Sequence, residues 1–202
     1  MKRGLAWIAA LTALVAALAV GAAVWLRRPD PAVARSVATG PQIGGPFHLI
    51  DQAGRPVDAS LLKGKWTAVF FGYTYCPDVC PTTLAALGRI ADALGPDRNR
   101  FQVVFITVDP ARDTPQTLAR YLTTASFPKG VIGLTGAPSQ VAEAARVYHV
   151  FYQKVPQGAS YVMDHTAVIY LMNPQGRFVA PLDATAPPNQ AATQLKALME
   201  RS

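Results

Sequence analysis

Residues 66–81 read WTAVFFGYTYCPDVCP, and the reading of the fold turns on them. Trp66 to Phe71 is a nearly continuous β-rich run with no polar face, as expected of a central strand buried on both sides. Gly72 to Pro81 reads as a loop that holds both cysteines of the chain, Cys76 and Cys80. Beyond it, Leu84, Leu87, Ile90, Ala91 and Leu94 recur at helical spacing, and Phe101 to Val108 (FQVVFITV) is a second buried strand. Strand, helix and strand make a βαβ unit. A right-handed crossover sets its strands parallel and leaves the cysteine loop and the Asp109-Pro110 turn at one carboxyl edge of the sheet, where α/β sites usually form.

Further outward the pattern continues to alternate. His48 to Asp51 and Val57 to Ala59, around Gln52-Ala53-Gly54-Arg55-Pro56, predict a short hairpin. Asp113-Thr114-Pro115 opens a helix through Leu122, and Pro138-Ser139 opens another through Tyr148. Ala167 to Met172, the turn 173–176 and Arg177 to Leu182 predict a hairpin. Ala191, Ala192, Leu195, Leu198 and Met199 then share one face of a final helix. A cysteine pair between the first central strand and its helix, followed by a hairpin and a C-terminal helix, is the layout of an α/β thioredoxin-like domain.

At 202 residues, with 50% hydrophobic and 15% charged residues, the chain has room for one such domain and an appendage, and is too apolar for a disordered polymer. The appendage is N-terminal. Leu5 to Leu26 (LAWIAALTALVAALAVGAAVWL) spans roughly 33 Å as a helix, enough to cross a bilayer, with Trp7 and Trp25 placed for the two headgroup layers. Its length favours a retained anchor over a cleaved signal peptide. Much of the +7 net charge flanks this run, in Lys2, Arg3, Arg27, Arg28 and Arg35, so the basic balance does not indicate nucleic-acid binding. The expected organisation is an anchor at 1–27, a Pro/Gly-rich tether at 28–45 and a thioredoxin-like domain at 46–202. The amino terminus is expected in the cytoplasm and the domain in the periplasm, on a single pass through a bacterial inner membrane.

Four residues apart, Cys76 and Cys80 can bond to each other or to one ion. Pro81 suits a first helical turn, which predicts Cys80 at the positive helix end with its thiolate favoured. A purely structural disulfide gains little from so short a loop. Of the three histidines, His48 and His149 read as packed or edge side chains. His165 precedes the strand starting at Ala167; if that strand runs antiparallel to Trp66 to Phe71, His165 approaches the cysteines. Two thiolates and an imidazole form a soft set that suits copper(I), and Asp78 or a water could complete copper(II). Asp164 could orient the imidazole as an outer partner. Metal binding and thiol-disulfide exchange at Cys76 and Cys80 both remain open on this reading.

The run Phe71 to Pro81, the segment Thr107-Val108-Asp109-Pro110-Ala111-Arg112-Asp113-Thr114, and Asp164-His165-Thr166 together resemble the Sco/SenC/PrrC family of membrane-anchored copper proteins. The resemblance covers about residues 45–198. It implies copper ligands at Cys76, Cys80 and His165, and delivery of copper to the dinuclear copper centre of cytochrome c oxidase in support of its assembly. An upstream copper donor and a thiol reductant follow as partners, with thiol-disulfide activity toward an oxidase subunit as the alternative. Unlike ordinary thioredoxins, the chain has Cys-x-x-x-Cys, and Thr166 where a cis-proline would stand, which favours metal over general disulfide exchange.

Overall fold

The structure is a computed structural model that describes Leu18 and residues 42–201. The anchor run apart from Leu18, and tether residues 28–41, lie outside the described residues. Among the described residues no helix is long and apolar enough to cross a membrane.

A compact unit starts at Gln42. Its first residues are tied in: the Gly44 N–H donates to the Val147 carbonyl at 2.7 Å, with Gly44 at φ +87°. That left-handed conformation suits glycine. Nine strands follow among the described residues: β1 (His48–Asp51), β2 (Pro56–Asp58), β3 (Trp66–Gly72), β4 (Phe101–Thr107), β5 (Ile132–Thr135), β6 (Tyr152–Gln157), β7 (Ser160–His165), β8 (Ile169–Met172) and β9 (Phe178–Pro181). The helices are α1 (Val79–Ala93), α2 (Pro115–Tyr121), α3 (Pro138–Val147) and α4 (Pro188–Glu200).

Seven strands form one sheet in the order β2-β1-β5-β4-β3-β8-β9. Every residue of β3 is buried, as its unbroken apolar run requires. It pairs in parallel with β4, Trp66 opposite Phe101 and Gly72 opposite Thr107, and antiparallel with β8, Phe70 opposite Ile169. The expected βαβ unit and antiparallel third strand are both present. Phe70, Phe71, Phe105, Leu84, Leu87 and Ile106 are fully buried around this centre, and each such side chain contributes about 1.5–3 kcal/mol by leaving water.

The sequence reading assigned no element at β5, β6 or β7. Residues 152–165 form a hairpin of their own, paired from Tyr152 opposite His165 to Gln157 opposite Ser160, outside the main sheet. Most of its side chains are polar and at least partly exposed, so no apolar alternation announces it. β5 is missed because four residues at the end of a loop are too short for a period to register.

Candidate metal centre

The carboxyl ends of β3 and β4 put the loop Tyr73 to Asp78 beside the turn at Asp109. Three features hold that loop. Asp113, wholly buried, accepts from the Thr74 N–H at 3.0 Å, the Thr74 hydroxyl at 2.6 Å and the Thr107 hydroxyl at 2.6 Å. Burial pushes its carboxyl up, against the pull of those hydrogen bonds. The Val108 N–H donates to the Gly72 carbonyl at 2.8 Å, and the Cys76 N–H to the Tyr73 carbonyl at 3.3 Å.

Both cysteines are free thiols. Cys80 lies in the first turn of α1, with its side chain in the core. A Cβ added at Gly72 would come within 2.8 Å of the Cys80 Sγ and 2.7 Å of Phe105 Cε2, so only glycine leaves the sulfur its seat. The partly buried Cys76 is the sulfur that meets the helix end: its Sγ accepts from the Cys80 N–H at 3.4 Å. The expectation of a favoured Cys80 thiolate is therefore corrected. Burial pushes the Cys80 thiol well up, outweighing a backbone hydrogen bond from Tyr73. Desolvation in the core exceeds what one helix end returns.

His165 closes β7, and its Nε2 stands 3.7 Å from the Cys80 Sγ. Its Nδ1 lies 3.0 Å from the Thr166 carbonyl, which can only accept, so that hydrogen bond puts a proton on Nδ1 and leaves Nε2 of the neutral ring with a free lone pair. The ring stands edge-on to Tyr73, centroids 5.9 Å apart, and to Phe70 at 6.4 Å. Two donors held about 2.0 Å and 2.3 Å from one ion, near 120°, are about 3.7 Å apart. The Cys80–His165 pair has that separation. Among the described residues, however, no group of three His, Cys, Asp or Glu side chains is already set to hold a metal ion. The Cys76 sulfur is engaged with the α1 backbone and would have to turn to join the pair.

The other candidates lie apart from this pair. Asp78 is exposed and accepts from the Thr82 hydroxyl at 3.2 Å. Asp164 is exposed on β7 opposite Gln153, and the Thr166 carbonyl occupies the orienting position on the imidazole. His48 and His149, read as packed or edge side chains, are both exposed, His149 at φ +55°. Sequence reading placed Asp113 only at the start of a helix and assigned no part in the site to Gly72, Tyr73 or Asp113, although all three fall within the segments it singled out. The contacts of Thr74 with Asp113 and of Gly72 with Phe105 join positions far apart in the chain, which spacing does not reveal.

A family profile described as SCO1/SenC matches residues 35–200. Among curated proteins, the chain is 44% identical over 142 residues to the mitochondrial SCO1 homolog 1 of Arabidopsis thaliana, covering 68% of this chain and 41% of that one. It is 40% identical over 146 residues to mitochondrial SCO1 of Saccharomyces cerevisiae, covering 70% and 49%. The chain thus spans about half the length of these two relatives. Among solved structures it resembles copper-bound ScoI of Bradyrhizobium japonicum, at 48% identity and TM-score 0.72, covering 77% of this chain and 98% of that one. Copper-bound yeast Sco1 is 35% identical with TM-score 0.72, covering 80% and 91%.

Proposed function

The chain belongs to the SCO1/SenC family, and from that premise we propose that it is a metallochaperone that carries copper to the dinuclear copper centre of cytochrome c oxidase during oxidase assembly. The observation that carries the reading is the 3.7 Å approach of His165 Nε2 to the Cys80 sulfur. Copper is named as bound in the Bradyrhizobium and yeast relatives, and a soft Cys, Cys, His set suits it.

Copper is cargo in this scheme. Cys80 and His165 offer the preformed pair, and Cys76 completes it by giving up its hydrogen bond to the α1 backbone. Copper(I) takes these three donors as thiolate, thiolate and neutral imidazole; copper(II) adds Asp78 or a water. Each thiol loses its proton as it takes the metal, so loading releases protons, and both sulfurs must be reduced beforehand. A thiol reductant and an upstream copper donor are the partners this requires. The run 5–26 anchors the domain on the outer face of a bacterial inner membrane, with the amino terminus inside.

The test is anaerobic copper(I) titration of the reduced chain against a competing chelator, with sulfur and nitrogen neighbours counted by X-ray absorption. His165→Ala should weaken binding at least about tenfold and remove the nitrogen neighbour, while the potential of the Cys76–Cys80 couple changes little. Unchanged copper affinity in His165→Ala, together with undiminished exchange with a model disulfide, would instead support a thiol-disulfide oxidoreductase that uses the same two cysteines.

A further inference from the structure

We infer that Arg112 is a positioning residue: it latches the hairpin that carries His165 to the loop that carries Cys76, and so sets the reach of the imidazole toward the sulfurs. The inference rests on the copper reading above for its consequence, and on geometry alone for the latch.

Arg112 follows the turn at the carboxyl edge of β4. Its guanidinium carbon lies 3.7 Å from the ring centroid of Tyr161, 4.6 Å from that of Tyr75 and 5.8 Å from that of Tyr73. Tyr75 adjoins Cys76 in the chain, and Tyr161 precedes His165 on β7, near the tip of the hairpin. One cation therefore bridges the two chain segments that supply the donors. Cation-π contacts of this kind contribute about 0.5–2 kcal/mol each, more when water is excluded.

Hydrogen bonds tie Arg112 and Tyr161 to each other and to Asp109. The Arg112 Nε donates to the Asp109 carboxylate, and Nη1 donates to the Tyr161 carbonyl at 3.1 Å. The Tyr161 hydroxyl donates to the other Asp109 oxygen at 3.0 Å. Tyr161 is thus held by its ring, its backbone and its hydroxyl. A rigid planar fork can make all these contacts at once, which a lysine could not.

The hairpin takes no part in the pairing of the seven-stranded sheet, since β6 and β7 pair with each other. Tyr152 and Met163 pack against the core from it, and Arg112 adds a polar hold. The base of the hairpin is closed by Thr166 N–H to the Phe151 carbonyl at 2.9 Å and Phe151 N–H to the Thr166 hydroxyl at 3.1 Å. Arg112 secures the opposite end. The arrangement does not maximise stability: Nη2 is buried without a hydrogen-bond partner among the described residues, and an unmet buried donor is costly.

The experiment uses the detergent-solubilised full chain, reduced and anaerobic, as Arg112→Ala, Arg112→Lys, Tyr161→Ala and Tyr161→Phe. Without copper, hydrogen exchange of amides 152–165 should speed about tenfold in both alanine variants and much less in Tyr161→Phe, which keeps the ring. With copper(I) and a competing chelator, both alanine variants should bind about tenfold more weakly and lose nitrogen but not sulfur neighbours in X-ray absorption. Arg112→Lys, which keeps the charge without the plane, should recover only part of the affinity. Tyr161→Ala lies outside the main sheet and serves if Arg112→Ala fails to fold.

Wild-type exchange rates in the alanine variants, or faster exchange with wild-type affinity and nitrogen count, would overturn the inference. A wild-type chain that binds copper without a nitrogen neighbour would overturn the copper reading instead, and the exchange rates would then decide the latch by themselves.

Discussion

Gly72 decides where the buried sulfur can sit. The Cβ of an alanine there would meet both the Cys80 Sγ and the Phe105 ring at under 3.0 Å, closer than side chains tolerate, and Phe105 cannot retreat because it is buried in the centre of the sheet. Gly72→Ala should destabilise the fold by about 1–3 kcal/mol, read from urea unfolding of the reduced protein. The native protein should also alkylate at Cys76 well before Cys80, since only Cys76 is partly exposed and burial holds the Cys80 thiol protonated. Displacing the Cys80 sulfur should narrow that difference, and peptide mapping after brief iodoacetamide treatment measures it. An alanine variant with wild-type stability and the same order of alkylation would mean that the seat accommodates a methyl group.

Among the elements, the loop between β3 and α1 depends on Asp113. An asparagine offers one acceptor oxygen where the carboxylate serves three donors, so Asp113→Asn should cost about 1–3 kcal/mol through an unmet hydrogen bond. The pH dependence has a definite sign. Burial raises the folded pKa of Asp113 above its unfolded value, so the folded state binds more protons there. Stability from this group is full below the ordinary carboxylate value near about 3.9, and falls as pH rises through the higher folded value. The advantage of wild type over Asp113→Asn should therefore shrink as pH rises from about 3 toward neutrality, by urea unfolding at each pH. A widening advantage would show that the carboxylate is favoured in the fold.

The same scale shows what was legible beforehand. Trp66 to Phe71 could be placed because an unbroken apolar run has one home, and the carboxyl-edge location of Cys76 and Cys80 followed from the βαβ rule. The approach of His165 was legible as a consequence of antiparallel β8. The hairpin that carries it was not, because Tyr152 to His165 is largely polar and sends only a few partly buried side chains, Tyr152 and Met163 among them, against the core. Nor could the Thr166 carbonyl be foreseen as the partner of Nδ1, since a backbone oxygen leaves no trace in side-chain spacing, and the acid next to the histidine was the natural expectation.

For the whole molecule, the reading as an anchored carrier predicts that the full chain stays with the membrane fraction after carbonate extraction, while a chain starting at Gln42 is released. Release of both would remove the anchor from the proposal without touching the copper chemistry. The division of donors between two parts of the fold has a mechanical consequence. Cys80 belongs to the rigid wall of the sheet and α1, whereas the imidazole rides on an outrigger that shares no strand pairing with that wall. On the copper reading proposed above, an acceptor that draws the imidazole away would have to work on the ribbon and its ties at Phe151 and Thr166, and would break no ladder rung of the main sheet.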